Sequence, residues 1–404
     1  MAKFFKAASA VVCALSIAVF TLVFFADRRV PDEFTAASYS DLETGKMLRL
    51  DLEDAERSDS KPGRYNINVS ILDLIPVKSS VLELKERKYV VPGGNVIGLK
   101  LYTKGVVIVG TGEIESGGGK ANPAKAAGVQ KGDAIISINS VRLTSAAQAA
   151  EIFASSAGKT LRLVCERNGK EFETDFNTVM SKADGSYKAG MWIRDSAAGI
   201  GTMTYFDEQN GVFASLGHAV CDIDTGKCVN ISCGECVPAQ ITGCNPGRNG
   251  QAGELCGIFA DGSYGRVLMN CDGGAYGRLS CGCPQNEKIP VAASCEVKTG
   301  CAQIISTVDG EGTDKYDVEI TRLYNPSGNE NRCMSIKVTD SRLIEKTGGI
   351  VQGMSGSPII QNGMLVGAVT HVFVNDPTQG YGIYAEKMLA YSELASLLPD
   401  SDAA

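Results

Sequence analysis

The sequence predicts a mainly β protein of several domains behind an N-terminal apolar helix, and three observations carry that prediction. Of the 404 residues, 46 are glycine, a content suited to turn-rich β structure rather than to helical bundles. From Gly190 to about Ala385, short apolar runs alternate with Gly-rich turns and helical periodicity is nearly absent. That spacing is the one expected of a β-barrel or sandwich. Hydrophobic residues make up 44% and charged residues 21%, which at this length suits two or three globular domains.

The chain opens MAKFFK and stays apolar or small from Ala7 to Phe25, before Asp27-Arg28-Arg29. These 19 uncharged residues can span a bilayer and exceed the apolar core of a cleaved signal; no small-x-small site closes the run. Residues 1–26 therefore read as an uncleaved signal-anchor, with a cleaved signal peptide as the alternative. Lys3 and Lys6 favour placing the bulk of the protein outside the cytoplasm, against Arg28 and Arg29 on the other flank. Residues 27–64 are polar and acidic and read as a linker. Residues 65–90 turn to β character, with strands expected at 69–74 and 81–84.

Val91-Pro92-Gly93-Gly94 opens a unit spanning 91–178. An apolar run at 96–101 and a strand at 105–109 lead to a Gly-rich loop at 116–119. The segment AAGVQKGDAIISINSVRLTSAAQAAEIF then reads as a short helix, a turn at Lys131-Gly132-Asp133, a strand, a further turn and a helix over 145–156. Strands over 160–166 and 170–176 finish the unit. This segment resembles a PDZ domain of the bacterial protease-associated type. The resemblance implies a peptide bound as an added strand at a sheet edge, with Val96, Ile97, Gly98 and Leu99 lining the pocket; core packing is the competing reading of each.

After a polar linker, residues 185–404 form a third unit, closed by an amphipathic helix over 385–398. Within it lies Gly353-Met354-Ser355-Gly356-Ser357-Pro358. A serine between glycines, ahead of a Pro and an apolar strand, is how chymotrypsin-like proteases present a nucleophile. A turn sharp enough to expose Ser355 Oγ also aims the Gly353 and Ser355 amides at one point, where they can stabilise an oxyanion. Glycine tolerates the backbone such a turn needs. The competing reading is an ordinary turn between strands. A serine needs an imidazole to take its proton, and the chain has only two histidines. His218, after a hairpin at 201–214 and ahead of the serine, matches the chymotrypsin-type order. His371, on a strand over 365–374, reads as lining a pocket or packing in the barrel. The carboxylate stays open among Asp222, Asp224, Asp261, Asp272, Asp309, Asp314, Asp317 and Asp340.

Taken together, IRDSAAGIGTMTYF, LGHAV, KVTDSRLIEKTGGIVQGMSGSPIIQNG and GAVTHVFVNDPTQGYGIYAE resemble the SpoIVB sporulation peptidases. The resemblance implies a PDZ domain followed by a chymotrypsin-like double β-barrel, with Ser355 as nucleophile, His218 as base and Asp340 as carboxylate. It further implies an enzyme made in the forespore and acting in the intermembrane space. There it would cleave a membrane-bound regulator so that an intramembrane protease can process a late mother-cell pro-sigma factor. It would also cleave itself within 27–65, and its PDZ domain would engage the target or other copies of the peptidase. No cofactor is expected.

Fourteen cysteines are present, and 12 fall between Cys221 and Cys333, more than the resemblance leads one to expect. Outside the cytoplasm such density suggests disulfides. Cys233-x-x-Cys236 and Cys281-x-Cys283 leave thiolate metal binding as the minor alternative. The net charge of −7 and a pI near 5.2 argue against nucleic acid as a partner. Two other functions stay open: a quality-control protease of the HtrA kind, against which the order of domains weighs, and a peptide-binding scaffold with an inert peptidase-like domain.

Overall fold

The computed structural model describes residues 2–30, 32–36, 48–52, 62–324 and 331–399. The apolar N-terminus forms helix α1 (Ala2–Arg29), whose segment Ser9–Arg28 is long and apolar enough to cross a membrane and is not buried by the rest of the protein. Next come strands β1 (Glu33–Ala36), β2 (Leu48–Leu52), β3 (Gly63–Ile71) and β4 (Ile75–Leu84). They form a separate sheet in the order β1-β4-β3-β2. The segment read as linker thus contributes two strands, which take the free edges of the β3–β4 hairpin. Leu72 and Asp73 adopt positive φ, so the first hairpin strand ends at Ile71 rather than running to residue 74. Part of the expected self-cleavage region, 37–47 and 53–61, lies outside the described residues.

Strands β5 (Tyr89–Pro92) and β6 (Val96–Thr111) follow. The PDZ unit then contains β7 (Ile114–Ser116), β8 (Gly119–Ala121), α2 (Pro123–Ala126), β9 (Ala134–Ile138), β10 (Val141–Arg142), α3 (Ala146–Ser155), β11 (Thr160–Arg167) and β12 (Lys170–Asn177). Asn122 caps α2 and Ser145 caps α3, each accepting the amide three residues on, so polar residues just ahead of Ala-rich runs set both helix starts. Val106, Ile135, Phe153, Leu163 and Phe176 lie in its core. Asp133 of the KGD turn is fully buried, where it accepts Arg167 Nε at 2.7 Å and the Gln130 amide at 2.8 Å.

The chain returns through β13 (Val179–Met180), β14 (Tyr187–Lys188), β15 (Met191–Asp207), β16 (Val212–Ser215), β17 (Ile231–Asn245), β18 (Glu254–Phe259), β19 (Gly265–Cys271), β20 (Gly274–Leu279) and β21 (Ile289–Pro290). Pairings β6–β17, β17–β19, β19–β20, β20–β16, β16–β15 and β15–β6 close a ring. This is a first barrel, packed around Ile97, Leu99, Leu101, Phe213 and Val267. A second closed barrel comprises β22 (Gly300–Ser306), β23 (Asp314–Leu323), β24 (Met334–Val338), β25 (Pro358–Gln361), β26 (Met364–Phe373) and β27 (Asp376–Tyr384). Helix α4 (Ser341–Thr347) joins β24 to β25, and α5 (Ala385–Ser396) ends the domain.

The PDZ unit lies inside the first barrel's sequence rather than ahead of it. Strand β6 pairs through its first half with barrel strands and through Val106 and Val107 with β9 of the PDZ sheet. Strand β15 returns antiparallel along β6 from Met191↔Thr111 to Thr202↔Val96. Two long strands therefore leave the barrel, build the PDZ sheet and come back.

Candidate active site

Three pieces of chain converge between the barrels. The first is the turn after β16, where Leu216 and Gly217 both take φ of 68°. For leucine this left-handed backbone is strained; burial of its side chain in the first barrel core holds it there. The turn delivers His218, which is half-buried. The second is the Gly353–Ser357 loop. Gly353 and Gly356 sit at φ 96° and 95°, and a Cβ at Gly356 would lie 2.1 Å from Thr202 O. The third is Thr202 of β15, whose amide donates to Ser355 O at 3.0 Å and whose Oγ1 donates to Gly353 O at 2.9 Å. Those bonds turn both carbonyls inward. Among the described residues the Gly353 and Ser355 amides donate to no backbone carbonyl, which leaves both free to donate to a substrate oxygen.

Ser355 Oγ donates to Thr370 O at 2.9 Å. The next residue on β26, His371, packs against His218 with ring centroids 5.0 Å apart. His218 Nδ1–H donates to Ala219 O at 2.9 Å. A neutral imidazole protonated at Nδ1 carries its lone pair on Nε2, the form a base must have. Burial lowers the pKa of His218, a backbone hydrogen bond opposing it. Burial also lowers His371, to about 4, with His218 and Arg332 adding to the effect. Nδ1 of His371 is buried with no hydrogen-bond partner.

Asp340 stands elsewhere. It caps α4, accepting the Arg342 amide at 2.9 Å. Arg342 Nε and Nη2 hold the carboxylate at 3.1 and 2.8 Å, and the Asp317 amide donates to it at 3.3 Å. This pairing, above all with Arg342, lowers its pKa. No hydrogen bond joins Asp340 to either imidazole, because each of its oxygens is committed to the helix start. The carbonyl of Ala219 fixes the tautomer of His218 where an Asp carboxylate was expected to do so.

Residues 185–389 match the SpoIVB peptidase S55 family, and residues 116–167 match the PDZ domain family. The chain belongs to the SpoIVB peptidase S55 family. It is by that membership a serine peptidase. No curated protein matches the chain. Among solved structures, the active form of Rv3671c protease from M. tuberculosis aligns at 15% identity and a TM-score of 0.32, covering 51% of this chain and 78% of that one. The inactive form of the same protease aligns at 15% identity and 0.29, covering 47% and 81%.

The PDZ pocket expected at Val96–Leu99 is not where the peptidase keeps an open edge. Those residues pair on one side with β15 (Gly98↔Ile200) and on the other with β17 (Gly98↔Val237). Ile97 and Leu99 are buried in the first barrel; a strand with both edges filled cannot accept a peptide. An open pocket lies instead between α3 and the start of β15, lined by Ile114, Ala150, Phe153, Tyr187, Met191 and Ile193. There, among the described residues, β15 pairs only with β6, and the Ala146 amide of α3 donates to Asp195 Oδ2 at 2.8 Å. The signal in the sequence is Gly190-Met191-Trp192-Ile193, a glycine leading an apolar strand.

Among the described residues no cluster of three or more His, Cys, Asp or Glu is arranged to hold a metal ion.

Proposed function

We propose that the protein is an extracytoplasmic endopeptidase in which Ser355 is the nucleophile, His218 the general base and the Gly353 and Ser355 amides the oxyanion hole. One observation supports this reading: the Gly353–Gly356 turn packs against the Leu216–Gly217 turn, where a Cβ at Gly356 would lie 2.5 Å from Leu216 N, and the imidazole that follows that second turn already donates through Nδ1. In the acyl-transfer step His218 Nε2 takes the Ser355 proton as Oγ attacks the scissile carbonyl, and the two amides receive the oxyanion. Ser355 Oγ must first turn from Thr370 O toward the imidazole, a single side-chain rotation.

Membership in the SpoIVB peptidase family supports placing this activity in sporulation signalling. In that reading the enzyme cleaves a membrane-bound regulator, allowing an intramembrane protease to process a late mother-cell pro-sigma factor, and also cleaves itself. Helix α1 serves as the membrane anchor, and the α3–β15 groove takes an extended peptide of the target or of another copy. Fluorophosphonate labelling of wild type beside Ser355→Ala tests the catalytic assignment, with self-cleavage followed on the same gel. Label and self-cleavage present in wild type and absent in the variant are expected. A folded wild type that takes no label, or a variant that still does, overturns it.

A further inference from the structure

We propose that Cys221 and Cys228 form a disulfide that clamps the loop carrying His218. The two residues face each other as an isolated antiparallel bridge. The Asp222 amide donates to Lys227 O at 2.9 Å, and the Val229 amide donates to Val220 O at 2.9 Å. Hydrogen bonds on those outer neighbours make Cys221 and Cys228 a non-hydrogen-bonded pair. At such a pair the Cα atoms are roughly 4.5 Å apart and the side chains share a face, within the ~4.4–6.8 Å that a disulfide spans. Both are free thiols, exposed enough for an exchange partner to reach.

The loop they close begins three residues after His218. Two residues ahead of it, Ala219 O is the acceptor that fixes the His218 tautomer. Asn270 supports the same stretch, accepting the Val220 amide at 2.8 Å and donating to Val220 O and Val229 O, each at 2.9 Å. A covalent link across 221–228 holds Ala219 and Val220 in that frame and so holds the imidazole. Burial raises the Cys228 thiol to about 11; a thiol of high pKa is a slow leaving group, so the bond once made persists.

The oxidant is a disulfide, RS–SR, of a small thiol or a thiol–disulfide oxidoreductase. One cysteine thiolate attacks RS–SR and expels RS⁻; the second attacks the mixed disulfide and expels another. Two electrons pass from the cysteine pair to RS–SR, the Cys221–Cys228 bond forms, and the two thiol protons leave on two RSH.

The test uses the full chain, isolated without reductant and incubated with oxidised glutathione. Trypsin cuts after Lys227 and so separates the two cysteines. Non-reducing mass spectrometry should show peptide 195–227 joined to peptide 228–248, which holds three other cysteines. The link should vanish in Cys228→Ser and survive in Cys233→Ser. Two free thiols after oxidation, or Cys221 or Cys228 joined to another cysteine such as Cys271, overturns the proposal. This readout does not depend on catalysis. The consequence for the active site rests on the peptidase reading. Dithiothreitol should slow fluorophosphonate labelling of wild type by about tenfold, less than the ~100-fold that a 1 Å misplacement can cost. Labelling of Cys221→Ser/Cys228→Ser, with folding checked by thermal melt, should not respond to reductant; an equal response in both proteins overturns the clamp.

Discussion

Replacing Gly356 by alanine puts the oxyanion-hole geometry under direct stress. The new Cβ would stand 2.1 Å from Thr202 O, 2.5 Å from Leu216 N and 3.1 Å from Leu216 Cα. All three are main-chain atoms, so no side chain can swing aside. Relieving the closest contact moves the loop by roughly 1.5 Å, given the ~3.5–4 Å separation that non-bonded heavy atoms prefer. The φ of 95° adds about 1–3 kcal/mol of backbone strain for a residue with a Cβ. Displacing Ser355 by that distance is expected to cost on the order of 100-fold in acylation. The assay is the rate of fluorophosphonate labelling, paired with a thermal melt to confirm folding. Gly356→Ala should melt a few degrees lower, remain folded at 25 °C and label about two orders of magnitude more slowly. A folded variant that labels at the wild-type rate would refute the claim that this turn sets the catalytic geometry.

Other outcomes follow from the same contacts. Because burial holds His218 below its ordinary value, the labelling rate should fall with a midpoint below pH 6.5; a fall centred at or above 6.5 contradicts the assignment. The His371 pKa is about 4 when folded and about 6.5 when unfolded. Between those values the unfolded chain binds more protons, so stability should decline as pH falls from 6.5 toward 4; His371→Phe should flatten that part of the melting profile while keeping the label. If the label is lost in His371→Phe and kept in His218→Phe, the base is His371. Asp340→Asn keeps a helix-capping side chain but breaks the pair with Arg342, so it should lower the melting point slightly and change labelling less than tenfold. A loss of several orders of magnitude would mean that Asp340 reaches the imidazole in a rearranged state. Ala150→Arg in the α3–β15 groove should abolish binding of extended peptides by the full chain, whereas Val96→Thr in the barrel should not; equal binding by both variants would place the groove elsewhere.

The sharp turn around Ser355 was legible because its signal is local: Gly353 and Gly356, two positions before and one after the serine, both adopt positive φ. His218 was proposed as base from its order along the chain and the scarcity of histidine. What escaped depends on pairing between distant segments. The 16-residue strand β6 serves two units, and nothing in Val96–Leu99 itself reveals that its partners are residues about 100 and 140 positions away. His371 was read as lining a pocket or packing in the barrel because only the β26–β27 register and the closure of two barrels bring its ring to His218. Asp340 carried a readable signal that was passed over. An Asp followed by Ser-Arg-Leu-Ile-Glu-Lys-Thr and then Gly348, which takes φ of 75°, marks a capped helix with a glycine stop. The expectation of strands alone between Gly190 and Ala385 hid it.

The insertion of the PDZ unit changes what its presence can mean for catalysis. In a tandem arrangement a flexible linker would separate peptide capture from chemistry. Here one strand spans both: β15 lines the α3 pocket at Met191–Ile193 and, farther along, holds the Gly353–Ser355 loop through both hydrogen bonds of Thr202. The register of β15 against β6 shifts between Arg194 and Ser196, so the strand has a built-in irregularity between its two ends. A peptide can alter the active site only by binding one arrangement of that strand better than another. Added main-chain hydrogen bonds at Met191–Ile193 favour whichever arrangement keeps that edge straight. The Thr202 contacts tie the same choice to the position of the Gly353–Ser355 loop, which makes β15 the element whose two states must be sought if peptide binding controls the peptidase.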